Sequence, residues 1–134
     1  MYDTILVATD GSDPANRAVE HALDLAGAFD AELHGISVVD TRRYGDSMLS
    51  ASESVVEDLE ERADRLLADL ETRADVPVAT QLRRGRPNEE IGAYADEIDA
   101  DLIVLGNRGL GQDSQVGSTA ERVVRYVDRP TITA

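Results

Sequence analysis

The sequence predicts an α/β fold, a five-stranded parallel sheet in the order 3-2-1-4-5 with helices on both faces. Two observations predict it. Short apolar runs of strand length alternate with segments whose apolar residues recur at helical spacing. The first and fourth runs also end in turns rich in glycine, Thr9-Asp10-Gly11-Ser12 and Gly106-Asn107-Arg108-Gly109. Strands separated by helices pair in parallel through right-handed crossovers. In such sheets ligands bind outside the carboxyl ends, where the strand order reverses. With the order 3-2-1-4-5 that point lies between strands 1 and 4. Two turns far apart in sequence then meet in one crevice.

Each element has its own signal. Thr4–Ala8 is the first strand. Ser12-Asp13-Pro14 starts a helix with a capping hydroxyl and a first-turn proline. Ala15, Ala18, Val19, Ala22, Leu23 and Ala26 then form its apolar stripe. Leu33–Val39 is the second strand, and the polar stretch Thr41–Ser50 reads as a loop. Val55, Val56, Leu59, Ala63, Leu66, Leu67 and Leu70 mark a long amphipathic helix. Pro77–Leu82 is the third strand. Gly85-Arg86-Pro87 leads into a short helix with Ile91, Ala95 and Ile98 inward. Leu102–Leu105 is the fourth strand, Ser118–Val127 a fourth helix, and Thr131–Thr133 a short fifth strand. At 134 residues, with no repeat or linker, residues 1–134 are expected to form one domain.

Composition narrows the class. Apolar residues make up 42% of the chain but aromatics only 4%, so the core must be built from Val, Leu, Ile and Ala. No apolar run approaches the roughly 20 residues a membrane span needs. The start, Met1-Tyr2-Asp3, lacks the basic region of a signal peptide. Cysteine is absent, which excludes disulfides and thiolate zinc sites. A cytoplasmic protein is the plain expectation. Asp and Glu total 27 against 13 basic residues, all of them Arg, for a net charge of −14. That balance disfavours nucleic acid as a partner, because it repels phosphate backbones. It reads as halophilic adaptation. At about 1 M salt the Debye length is roughly 3 Å, which screens the self-repulsion of so many carboxylates.

The glycine turns carry the chemistry. Glycines let backbone N–H groups approach an anion, and a helix N-terminus aims unpaired N–H groups at it. Gly106 and Gly109, followed by Gly117-Ser118-Thr119 at the start of the fourth helix, therefore read as a phosphate cradle. A turn needing positive φ would explain one of these glycines but not the whole set. Arg108 either adds charge to phosphates or is a solvated loop residue. Ser118 and Thr119 are able to cap the helix and offer hydroxyls to phosphate together. His21 and His34 have no partner at metal-ligand spacing, and Glu60-Glu61 and Glu89-Glu90 read as solvated acidic faces. There is no Gly-x-Ser-x-Gly elbow and no lysine-bearing phosphate loop.

Taken together, these residues resemble the universal stress protein family. The match covers the strand ending in Thr9-Asp10-Gly11-Ser12, the second strand ending Val38-Val39-Asp40, the Gly85-x-Pro87 turn, and the fourth strand with its glycines. The resemblance implies a Rossmann-like fold of the adenine nucleotide alpha hydrolase type. It implies ATP, or another adenine nucleotide, with or without Mg, as the ligand. Ala8, Thr9 and Asp10 would lie beside it, with the Asp10 carboxylate on the ribose. Backbone near Val38 would meet the adenine edge, and Leu105 would pack on the base. Ordinary strand packing selects the same residue types at Val38 and Leu105. For Asp10 the alternatives are a capping or turn role with Gly11 and Ser12, or a metal-site Asp as in response-regulator receivers, which the absence of Lys disfavours. Gly106, Asn107, Arg108, Gly109, Gly117, Ser118 and Thr119 would follow the phosphates.

The chain departs from the family pattern twice. Seven residues, Leu110 to Val116, separate Gly109 from Gly117 where ATP-binding members have nine, and Ala8 stands where proline is common. The function expected is a small nucleotide-binding stress-response or regulatory protein. A dimer that has lost ATP and acts through its surfaces, and a slow ATP hydrolase, are the rivals. Family members often dimerise through the last strand, which implies a homodimer through Thr131–Thr133.

Overall fold

The computed structural model describes residues 2–40, 49–106, 122–123 and 127–134, with the backbone alone at 49–54. Five strands, β1 (Thr4–Ala8), β2 (Glu32–Val39), β3 (Val78–Arg84), β4 (Leu102–Leu105) and β5 (Thr131–Thr133), form one sheet in the order β3-β2-β1-β4-β5. Every neighbouring pair is parallel. Three helices are described: α1 (Asp13–Phe29), α2 (Leu49–Arg73) and α3 (Pro87–Ile98). The predicted fold class and strand order are the observed ones.

Period-two alternation in β1 divides the core between the two faces. Ile5 and Val7 pack with Ala18, Val19, Ala22 and Ala26 of α1 and with Leu70 of α2. Leu6 packs on the opposite face with Ile36 and Ile103 and with Ile91, Tyr94 and Ala95 of α3. The helices thus cover both faces. Small alanines on α1 let that helix lie close to the central strands. Gly35 does the same for α2, because Leu70 occupies the space a side chain there would need. The predicted fourth helix, Ser118–Val127, falls mostly outside the described residues. Arg122 and Val123 are helical, the Val127 N–H donates to the Val123 carbonyl at 2.9 Å, and Val123 and Val127 pack on the α3 side.

Four boundaries differ from the sequence expectation. β2 starts one residue early, at Glu32, which is in register with Thr4 of β1. Leu49 and Ser50 belong to α2, not to the preceding polar stretch, whose residues 41–48 lie outside the described set. β3 starts at Val78, because Pro77 has no N–H to give and takes part only through its carbonyl, which accepts from the Leu33 N–H at 3.1 Å. β3 then continues two residues past Leu82, since Arg83 and Arg84 stay in register with Val38 and Val39.

Candidate functional site

The site is built at the carboxyl ends of β1 and β4, adjacent at the centre of the sheet. After Ala8 the ladder runs one step further, with the Thr9 N–H donating to the Ile36 carbonyl at 3.0 Å. The chain then turns. Gly11 has φ +82, a conformation that favours glycine, and a side chain there would place its first carbon 3.3 Å from Leu66 of α2. The Ser12 N–H donates to Asp10 Oδ1 at 2.9 Å, and the Gly11 N–H reaches Thr9 Oγ1 at 3.4 Å. One carboxylate oxygen of Asp10 therefore helps hold the turn, as its turn role requires. The Ser12 hydroxyl accepts from the Ala15 N–H at 3.2 Å and caps α1, as the sequence predicts.

Gly106 joins the two halves. A side chain there would place its first carbon 2.7 Å from the Pro14 carbonyl carbon and 2.8 Å from the Ala15 nitrogen. The end of β4 thus lies backbone to backbone on the first turn of α1. Gly106 is not among the positive-φ glycines, so close approach, not backbone conformation, demands glycine here. The glycine after β4 thus lies against the start of the helix that follows the β1 turn.

The other proposed contact residues sort by face. Leu105 is buried, and Ala8 and Val38 are partly buried; all three pack into the α3-side core. Thr9 and Ser12 are buried polar residues at the turn. Asn107, Arg108, Gly109, Gly117, Ser118 and Thr119 lie outside the described residues. No group of three or more His, Asp or Glu among the described residues is arranged to hold a metal.

A polar cluster beside the Val38 strand is absent from the sequence reading. His34 Nδ1 and the Tyr94 hydroxyl lie 3.1 Å apart, and the Arg83 guanidinium sits 5.0 Å from the centre of the Tyr94 ring. Arg83 is held in turn by Glu97 at 2.6 Å and Glu90 at 3.7 Å. Burial pushes the Tyr94 phenol above its ordinary range, against the opposing pull of Arg83. Two signals pointed to this cluster: Tyr94 lies three residues after Ile91 on the inward stripe, and His34 shares its strand face with Ile36 and Val38.

This fold and site define a class: a parallel α/β domain with a capped turn and a glycine edge at its switch point. A family model described as the universal stress protein family matches residues 1–133, and the chain belongs to that family. A universal stress protein of Methanocaldococcus jannaschii is 34% identical over 138 residues, spanning 98% of this chain and 81% of the relative. The structure of universal stress protein UspA from Lactobacillus plantarum superposes with a TM-score of 0.86 at 28% identity, covering 98% of this chain and 97% of the other. A universal stress protein solved in complex with cAMP matches with a TM-score of 0.67 at 27% identity, over 99% of this chain and 96% of its own.

Proposed function

We propose that this chain binds an adenine nucleotide in the crevice between β1 and β4 and serves as a regulatory protein rather than a robust catalyst. The observation that supports the reading is the close approach of Gly106 to Pro14 and Ala15, which sets the end of β4 against the first turn of α1, the helix that follows the Thr9–Ser12 turn. The cAMP complex of a family member of similar fold supports the ligand class. In this reading Asp10 holds the ribose, the backbone at Val38 reads the adenine edge, and Ala8, Thr9 and Leu105 border the base. Gly106, Asn107, Arg108, Gly109, Gly117, Ser118 and Thr119 follow the phosphates, with ATP and Mg as the fullest ligand. Removing two loop residues takes away about 7 Å of extended reach. The loop then covers fewer phosphates, and preference for triphosphate is weak. β5 is an edge strand with Ile132 40% exposed, which supports pairing with a second copy.

The test is a thermal-shift series with AMP, cAMP, ADP and ATP in high salt, on the parent chain and Asp10→Ala. Ligand at about 100 times its dissociation constant stabilises the fold by roughly 2.7 kcal/mol. Similar shifts for AMP and ATP, reduced in Asp10→Ala, are expected. Strong ATP selectivity would show the short loop to be harmless. No shift with any adenine nucleotide overturns the proposal and leaves a protein that acts through its surfaces.

A further inference from the structure

Away from the nucleotide crevice, a groove of about 290 Å³ lies between the middle of α1 and the end of α2. Its floor is apolar: Leu23 and Val76 are partly buried and pack on the core beneath. Its rim is charged: among the described residues it carries carboxylates at Glu20, Asp24 and Asp75 and one cation, Arg73, which itself lies 3.8 Å from Asp69. Gly27 completes the lining and is exposed.

Gly27 has no structural reason to be glycine. A side chain there would meet nothing within 4 Å, so no neighbour demands the space. Its φ is not positive, and the left-handed cap of α1, where glycine is favoured, is filled by Asp30 at φ 52. Within a helix, glycine is markedly less favourable than alanine. A local rule broken without compensation in the fold points to a use outside it. The use that fits is an open groove floor.

We propose that this groove receives an arginine side chain presented by a partner protein. The apolar floor matches the aliphatic stem and the carboxylate rim matches the guanidinium, the division of labour such amphipathic side chains adopt at surfaces. The missing side chain at Gly27 leaves room for the stem. The groove starts at Glu20, two turns beyond the α1 N-terminus, so its occupant and a nucleotide do not compete for the same residues.

The probe is a capped Ala-Arg-Ala peptide, with its citrulline counterpart as a neutral isostere. Each is titrated into the labelled full chain in about 1 M salt, where attraction to the overall charge is screened within roughly 3 Å. Saturable amide shifts are expected at Asp24, Gly27 and Val76, with the citrulline peptide at least about tenfold weaker, as the loss of one charge-assisted contact predicts. Gly27→Leu, a good helix former that fills the floor, should abolish these shifts while raising the thermal midpoint. Asp24→Asn with Asp75→Asn should weaken binding without unfolding the chain. The proposal is overturned by no saturable shift, by equal binding of citrulline, by equal shifts on the outer face of α2 at Glu61 and Asp64, or by binding that survives Gly27→Leu. Self-association that Gly27→Leu abolishes would give the groove to a second copy and overturn it too.

Discussion

Gly106 shows how one residue is read correctly for an incomplete reason. The sequence places it in a phosphate cradle, where glycine admits an anion. The structure adds a packing demand, because the Pro14 and Ala15 backbone occupies the space of its side chain. Gly106→Ala must push the α1 N-terminus from β4 or shift the end of the strand. Overpacking of this kind costs typically about 1–3 kcal/mol, so a lower denaturation midpoint is expected even without ligand, and an unchanged midpoint would mean that the contact yields freely. Legibility at this scale follows sequence distance. The Ser12 cap of Ala15 was readable because its partners are three residues apart. The Gly106 contact was not, because its partner lies on another element. Tyr94 was missed for the same reason: His34 and Arg83, which hold it, come from β2 and β3. Tyr94→Phe keeps the ring over which Arg83 sits and deletes the hydroxyl, so a loss of about 1 kcal/mol is expected. Urea denaturation of the two proteins measures it.

At the scale of elements, strand positions were legible because apolar runs of four or five residues bounded by polar turns leave little choice. β1, β4 and β5 match residue for residue. The end of β3 was not legible, because arginines carry no strand signature. Only register with β2 and pairing to carboxylates keeps Arg83 and Arg84 in the sheet. Arg84 donates from Nε and one terminal nitrogen to Glu60 of α2, at 2.7 and 2.8 Å, and so ties that helix to the edge strand. The hydrogen bond from Arg84 lowers the Glu60 carboxyl below its ordinary value of 4.5. A lowered carboxylate contributes stability that is complete above the unfolded value and is lost as pH falls through the native one. Arg84→Gln should therefore lower the thermal midpoint near neutral pH, and the gap from the parent chain should close as pH drops below 4.5. A gap that widened in acid would assign the effect of Arg84 to something other than Glu60.

Across the whole molecule, charge outweighs any single pair. The chain carries 27 acidic residues against 13 arginines, for a net charge of −14. Ion pairs among the described residues, such as Arg84–Glu60, Arg86–Glu89, and Arg129 with Asp96 and Asp99, each leave at least one partner exposed. Exposed pairs of this kind contribute too little to offset the mutual repulsion of the excess carboxylates. That repulsion acts over the Debye length, roughly 30 Å at 0.01 M salt and roughly 3 Å at 1 M. At the lower concentration it spans the domain; at the higher it scarcely reaches the next side chain. The unfolded chain spreads the same charges over a larger volume, so removing salt penalises the folded state more. The thermal midpoint should therefore rise steadily with potassium chloride up to molar concentrations. A neutral osmolyte such as sucrose, at matched osmolality, should not reproduce the dependence on ionic strength at the low end. Arg84 is exposed, so its pair with Glu60 is screened as well, and Arg84→Gln should lower the midpoint more in low salt than in high while the baseline for both proteins climbs. A midpoint that stays flat or rises as salt is dialysed away would mean that the carboxylates do not set the stability of this fold, and that its acidity serves something other than a saline interior.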